Sequence, residues 1–207
     1  MHCDGILFDL DGTLWDATAS LANIWRSALA GEPDIPAPPT QAQLQGVMGM
    51  TAPQLMATLF PHLSPQRAAQ LFDQVSRVEN DYILQHGGTL YPGLMQMLST
   101  LSSRFPLFIV SNCGPEYIPC FLQAHQLEDY FTDWECIGRS GKAKWENIRL
   151  VAQRNGLHAP IYIGDTHLDK QAAEKAGVPF IHAAYGFGQL SGVQAIACPL
   201  DLIKLLD

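Results

Sequence analysis

The 207-residue chain is poor in charge, at 15% of residues, and lacks any apolar run near the ~20 residues that a membrane-spanning helix needs. It also lacks a basic excess: 12 lysines and arginines face 20 acids, a formal net charge of −8. That balance argues against a nucleic-acid surface or an anionic membrane as partner. A small anionic substrate stays possible, because a bound metal ion can outweigh the global field locally. Cysteine is sparse, odd in number and never spaced CxxC; the five (Cys3, Cys113, Cys120, Cys136, Cys198) read as reduced thiols rather than a disulfide framework. No internal repeat or low-complexity tract is present, and the first residues lack the basic-then-apolar order of a secretory signal. The expectation is a soluble cytoplasmic protein. With 47% apolar residues, the chain can bury a sizeable core.

What the chain does contain is concentrated at its start, Asp4-Gly-Ile-Leu-Phe-Asp-Leu-Asp-Gly-Thr-Leu-Trp-Asp16. Ile6, Leu7 and Phe8 read as a buried strand, predicted over residues 3–8, that stops at Asp9, Asp11, Gly12 and Thr13. Alternate residues of a strand share a face, so Asp9 and Asp11 leave it pointing the same way. Two such carboxylates at ordinary separation repel by about 4 kcal/mol at an effective dielectric near 20. Placing them on the tip of a core strand implies a cation and a metal-assisted site.

Residues 17–87 show helical spacing only. Leu21, Ile24, Trp25, Ala28 and Leu29 form one stripe; Thr40, Thr51 and Ser64-Pro65 read as helix starts; Ala68, Leu71, Phe72, Val75, Val78, Tyr82 and Ile83 form another face ending at Gly87-Gly88. From Tyr91 onward, short strand-like runs alternate with helical stripes: the apolar Leu107 to Val110, Ile161 to Ile163 and Phe180-Ile181, and a plausible short strand at Glu135 to Gly138. Continuous apolar strands between helices indicate a parallel sheet covered on both faces. The first strand needs that later sheet, so residues 1–16 and 88–207 are expected to form one discontinuous α/β core, a doubly wound parallel sheet. Residues 17–87 are then an inserted all-helical cap, with hinges near 15–17 and 87–91.

Ligands of open parallel sheets bind beyond the carboxyl ends of the strands. Those ends carry Asp9 and Asp11, Ser111 and Asn112, and Asp165 with Asp169 close behind; Lys142 and Lys144 precede the Trp145 helix. Together these residues suit phosphoryl transfer through a covalent intermediate. A carboxylate serves as nucleophile, Mg²⁺ takes oxygen ligands, and Lys144, Ser111 and the Gly12-Thr13 turn are suitable donors to the charged phosphoryl oxygens.

Asp9-Leu-Asp-Gly-Thr13, Ser111-Asn112, a lysine before a helix, and Gly164-Asp-Thr-His-Leu-Asp169 resemble, in order, the four motifs of the haloacid dehalogenase-like superfamily. The helical insertion resembles the cap of its phosphoglycolate phosphatase-like branch. The resemblance implies that Asp9 attacks phosphorus to form an aspartyl-phosphate. Asp11 would act as acid and base while its backbone carbonyl binds Mg²⁺. Ser111, Asn112, Gly12 and Thr13 would hold the phosphoryl group, and Lys144 would stabilise nucleophile and phosphate. Asp165 would ligate the metal, with Asp169 in or just behind that set. The acid at position 11 favours phosphate esters over halides. The third motif departs from the usual Lys-Pro, so Lys142 and Lys144 both remain candidates, Lys144 favoured by the helix onset.

The resulting expectation is a Mg²⁺-dependent phosphatase acting on a small phosphorylated metabolite such as a sugar phosphate, phosphoglycolate or nucleotide. A phosphomutase, a pyrophosphatase and a non-catalytic phospholigand-binding protein are the alternatives. A phosphonatase would need a cap lysine, and residues 17–87 contain none. Three further features stay open between function and structure: Asp16 as a turn or cap residue, Met48-Gly49-Met50 at the substrate mouth, and Tyr185-Gly-Phe-Gly188 beside the metal loop.

Overall fold

The short apolar runs become parallel strands. In the computed structural model, which describes residues 2–207, β1 (Gly5–Phe8) is followed by the two-residue β2 (Trp15–Asp16). Four helices come next, α1 (Thr18–Ala28), α2 (Gln41–Gln45), α3 (Ala52–Leu59) and α4 (Pro65–His86), and the chain returns through β3 (Thr89–Leu90). Helices and strands then alternate: α5 (Leu94–Ser102), β4 (Leu107–Ser111), α6 (Tyr117–His125), β5 (Asp133–Cys136), α7 (Ile137–Ser140), α8 (Lys144–Arg154), β6 (Pro160–Gly164), α9 (His167–Ala176), β7 (Phe180–Ala183), β8 (Ala195–Ile196) and α10 (Pro199–Leu206). The main sheet runs β5-β4-β1-β6-β7-β8 with every pairing parallel. The chain winds outward from β1 on one side and resumes beside it on the other, so the topological switch point falls at β1. This is the doubly wound α/β architecture with a helical insertion that the sequence predicts.

Strand alternation sorts the core into two layers. Ile6, Phe8, Ile109, Ile161 and Ile163 pack with Leu98 of α5, Phe121 of α6 and Leu202 of α10. Leu7, Phe108, Val110 and Tyr162 pack with Ile148 and Val151 of α8 and the alanines of α9. With both faces covered, the strands need no polar alternation. The helix starts are capped as their sequences predict: Thr40 and Ser64 accept from the backbone N–H groups of Gln43 and Arg67. No helix among the described residues is long and apolar enough to cross a membrane.

Several expectations shift. The first strand begins at Gly5 rather than residue 3. The strand expected at Glu135–Gly138 is β5, Asp133–Cys136, and the chain turns helical from Ile137. This edge strand is half polar because Asp133 and Glu135 pair with Arg154, at 2.5 and 2.7 Å, across the end of α8. In α4 the buried stripe is Leu71, Val75, Glu79 and Ile83, a strict four-residue spacing; Val78 and Tyr82, expected on that face, are 42% and 37% exposed. A glutamate thus stands where the stripe calls for an apolar side chain. The strands β2, β3 and β8 and the helix α10 have no counterpart in the sequence reading, being too short for a period to show.

β2 and β3 pair antiparallel, Trp15 with Leu90 and Asp16 with Thr89, so both passages between sheet and helical insertion are tied together. Trp15 anchors that crossing: it is fully buried, with its ring edge-on to Tyr117, Phe121 and His125. Trp15→Ala is expected to cost about 3–5 kcal/mol by deleting a large buried aromatic. Urea unfolding should show a lower midpoint with an unchanged slope, and Trp15→Phe should lose clearly less.

Candidate active site

The strand ladders align Phe8 with Ile109 and Ile163, so the carboxyl ends of β1, β4 and β6 lie together at one edge of the sheet. Asp9 is fixed at the tip of β1, where its N–H donates to the Ile163 carbonyl at 2.8 Å, and its side chain is buried. Ser111 closes β4, Asp165 follows β6, Lys144 opens α8 and Asp169 sits in the first turn of α9.

Lys144 is buried between two acids, its Nζ 2.8 Å from Asp9 Oδ1 and 2.5 Å from Asp169 Oδ1. Burial works against its charge, but Asp169 and Asp9 more than offset this and hold its pKa well above the ordinary lysine value. Lys142 is exposed, so the geometry selects Lys144 from the two candidates. Asp169 has both oxygens engaged. Oδ1 meets Lys144, and Oδ2 accepts from the Thr166 N–H and hydroxyl at 2.9 and 2.6 Å in a capping box that starts α9. Burial would raise its pKa, yet Lys144 and Thr166 keep it below the usual carboxylate range.

One oxygen each from Asp9, Asp165 and Asp169 lie within 4.8 Å of one another. Asp165 Oδ2 accepts from the Phe187 N–H at 2.8 Å, whereas its buried Oδ1 has no hydrogen-bond partner. Burial, then the charges of Asp169 and Asp9, push Asp165 up to about 8; Asp9 rises to about 6, chiefly through burial and then Asp169. An orphaned carboxylate oxygen, three clustered acids and a single ammonium are a donor set short of positive charge. Its hard oxygens fit Mg²⁺. Asp9 and Asp165 have the capacity to ligate; Asp169, with its oxygens committed, is placed to fix Lys144 behind them. The Asp11 carboxylate is outside this cluster.

Asp11 instead accepts on Oδ1 from Trp15 Nε1 and the Tyr117 hydroxyl, each at 3.0 Å. Burial and the neighbouring Asp9 raise it to about 7, the range in which a group can both give and take a proton near neutrality. A cavity of about 210 Å³ opens above Asp9, Asp11, Ser111 and Asn112, between the sheet edge and the helical insertion. Met48, Gly49 and Met50 line it, and Asn112 Nδ2 donates to the Gly49 carbonyl at 2.9 Å, tying insertion to sheet.

Gly12 and Thr13 form the turn beside the acids, and the buried Thr13 hydroxyl has no hydrogen-bond partner. The Gly12 N–H donates to the Trp15 carbonyl at 2.9 Å and the Thr13 N–H to the Leu10 carbonyl at 3.2 Å, so both amides are used inside the turn. The Thr13 side chain is fully buried, and neither residue lines the cavity. Gly12 matters for another reason: at φ +80°, a Cβ there would sit 2.2 Å from Asp165 Oδ2. Gly186 is equally constrained, since its Cβ would fall 2.2 Å from the Gly12 carbonyl oxygen. The Tyr185–Gly188 segment therefore borders the acidic cluster. Asp16 accepts from the Thr18 N–H and hydroxyl at 2.8 and 2.6 Å and serves as a turn residue at the start of α1.

The sequence reading missed Trp15 and Tyr117, which hold Asp11, and Tyr162, whose hydroxyl donates to the Val110 carbonyl at 2.8 Å beneath Lys144. Only Tyr162 left a trace, as a polar-tipped ring inside a fully apolar strand.

This constellation on this fold defines a class, and comparison with known proteins identifies it. The haloacid dehalogenase-like hydrolase family matches residues 6–183, and the chain belongs to that family. It falls in the family's phosphatase branch. The phosphoglycolate phosphatase of Rhodobacter capsulatus is 33% identical over 193 residues, covering 88% of this chain and 84% of the relative. That of Synechococcus elongatus is 31% identical over 208 residues, covering 96% and 92%. In fold, a haloacid dehalogenase-like hydrolase from Streptococcus pneumoniae superimposes with a TM-score of 0.84 at 22% identity, covering 99% of this chain and 98% of that one.

Asp9, Asp11 and Asp165 are all raised above the ordinary aspartate value of about 4. Their protons therefore stabilise the metal-free fold fully below pH ~4, and that contribution is lost as pH climbs toward about 8. A divalent cation bound among these carboxylates would take the place of those protons. The gain in Tm on replacing EDTA with Mg²⁺ should accordingly grow between about pH 5 and about pH 8 in scanning fluorimetry. An equal gain at both ends would contradict the assignment.

Proposed function

We propose that this chain is a Mg²⁺-dependent phosphatase that hydrolyses a small phosphorylated metabolite through an aspartyl-phosphate on Asp9. The observation that carries this reading is the pairing of Asp9 with Lys144 at 2.8 Å beside the partnerless oxygen of Asp165, directly under a cavity. Asp9 and Asp165, with the backbone carbonyl of Asp11, hold the cation, which when bound neutralises carboxylate charge and draws electron density from the phosphoryl oxygens. Lys144 keeps Asp9 ionised and aligned. A carboxylate oxygen of Asp9 forms a bond to phosphorus as the ester P–O bond breaks, and Asp11 delivers a proton to the departing alcohol oxygen. In the second half, Asp11 takes a proton from a water whose oxygen attacks the same phosphorus; inorganic phosphate leaves and Asp9 is restored. The Ser111 hydroxyl and the Asn112 amide, both at the cavity floor, donate to phosphoryl oxygens. Gly12 and Thr13 shape the turn beneath.

Residues 17–87 act in this reading as a cap, and the core comprises 1–16 and 88–207. Closure over the site, secured by the Asn112–Gly49 contact, excludes bulk water during attack and admits one water for hydrolysis. The absence of lysine from 17–87 and the intact Asp9, Asp11, Lys144 and Asp165 set support hydrolysis over Schiff-base chemistry or a non-catalytic role. Five free cysteines support a reducing, cytoplasmic setting.

Asp9→Asn is expected to lower phosphate release from p-nitrophenyl phosphate by about a thousandfold or more, the scale of losing a nucleophile. Asp11→Asn should lower kcat with a smaller change in KM and should flatten the pH–rate profile near neutrality. Turnover undiminished in Asp9→Asn, or persisting after exhaustive EDTA treatment, would remove the proposal.

A further inference from the structure

The cavity is chemically lopsided. At its floor, Asp9 and Asp11 belong to the catalytic set, with Lys144 just behind. Its walls are mostly apolar, built by Trp25, Leu44, Val47, Met48 and Phe72. Beyond the Cys113 thiol and the Tyr117 phenol, the remaining ionisable lining residues are carboxylic acids: Asp73 and Glu116, which are exposed, and Glu79, which is 7% exposed. Among the described residues that line it there is no lysine, arginine or histidine. The cap's arginines lie elsewhere; Arg67, for instance, is occupied by Glu32 and Asp34, and Arg26 and Arg77 are exposed.

Glu79 is the singular member of this lining. It occupies the buried stripe of α4 between Val75 and Ile83, where an apolar side chain would pack without desolvating a charge. Its Oε1 accepts from Trp25 Nε1, and among the described residues no basic side chain pairs with it. Burial raises it to about 7, so a cation placed beside it would draw it into the ionised form. Nothing in the fold supplies that cation; the cavity is the side from which one can arrive.

We propose that Glu79 is a specificity-determining residue and that the preferred substrate is a phosphate monoester of a compact alcohol carrying a protonated amine, not a carboxylate. This deepens the phosphatase reading and rests on it. The phosphate end of such a substrate meets Lys144, Ser111 and the cation site. Its short carbon body lies against the apolar wall, and its ammonium pairs with Glu79 between Ser76 and Asn80. A carboxylate in the same place would face Glu79, Asp73 and Glu116 with no base to receive it. The cavity therefore disfavours 2-phosphoglycolate, for all its smallness.

The test is steady-state phosphate release with Mg²⁺ from three esters of similar size: O-phosphoethanolamine, propyl phosphate and 2-phosphoglycolate, with p-nitrophenyl phosphate as reference. The expected order of kcat/KM is amine, then propyl, then carboxylate. The amine should lead propyl by about tenfold, the size of one partly desolvated ion pair, mainly through KM. In Glu79→Gln the amine-to-propyl ratio should fall to about one; being a ratio within one variant, it is insensitive to any loss of folded protein. Turnover of 2-phosphoglycolate equal to or above that of propyl phosphate overturns the inference and leaves the phosphatase reading standing. An amine-to-propyl ratio unchanged in Glu79→Gln, or near one in the parent chain, also overturns it. Phosphate release from none of the four esters removes the phosphatase reading itself.

Discussion

Lys144 holds Asp9 and Asp169 at 2.8 and 2.5 Å in a place where all three side chains are buried, and the whole sheet edge is organised around that shared ammonium. Withdrawing one charge from water costs several kcal/mol, repaid only with well-placed partners. Lys144 has two, and each is itself positioned by backbone. Asp9 is fixed by the β1–β6 ladder, and Asp169 by the capping box with Thr166 that also starts α9. Helix initiation, sheet register and the orientation of Asp9 are therefore one coupled construction. Removing the lysine would leave two buried carboxylates facing each other, which neither packing nor remaining hydrogen bonds could compensate. The same ammonium cannot also satisfy Asp165 and Asp11, and this shortfall of positive charge makes the site receptive to a divalent cation and then to a phosphate.

Asp9 and Asp11, two residues apart, are given different chemistry by their neighbours. Asp9 faces a cation and a cluster of acids, an environment for an ionised nucleophile. Asp11 faces the indole N–H of Trp15 and the hydroxyl of Tyr117, neutral donors that orient it without fixing its charge. Separation of two carboxylates by environment is how one site holds a nucleophile and a proton carrier at the same pH. Trp15 has a second duty, since it also packs the junction where the chain crosses between sheet and cap. The same indole thus orients the Asp11 carboxyl and packs the junction.

The sheet and the acids at its edge were legible because each depends on a local signal. A continuous apolar run marks a buried parallel strand, and the residue that breaks it marks the strand's carboxyl end. Asp9, Ser111 and Asp165 follow from that rule, and the helix expected from Trp145 places Lys144 just before its onset. What escaped depends on partners distant in the chain. β5 reads as polar until Arg154 is set beside Asp133 and Glu135. The amides of Gly12 and Thr13 look free until the turn closes on Leu10 and Trp15. Tyr117 carries no local signal and becomes a partner of Asp11 only where α6 packs across the sheet edge. On α4 the period was found but its phase was off, because Val78 and Tyr82 are apolar on a half-exposed face while the acid at 79 is buried.

That phase error points to the property of the site least dictated by the catalytic motifs. The motifs concern the phosphate end of a ligand and say nothing of its other end. There, helix α4 presents an acid that stability alone does not account for. A leucine or methionine in the same stripe would bury comfortably, whereas a carboxyl with one indole N–H as partner carries an unrecovered desolvation cost on the order of 1–3 kcal/mol. A ligand that brings its own cation recovers that cost on binding, and one that brings an anion adds to it. On the proposed reading, the acid on α4 favours a ligand that carries a cation at the end away from its phosphate. Cap closure strengthens both ends together, because excluding water lowers the dielectric around Lys144 and Glu79 alike. On that reading substrate choice and catalysis are coupled through one act of closure, with Glu79 near enough to Asp11 for its charge to raise that carboxyl's pKa.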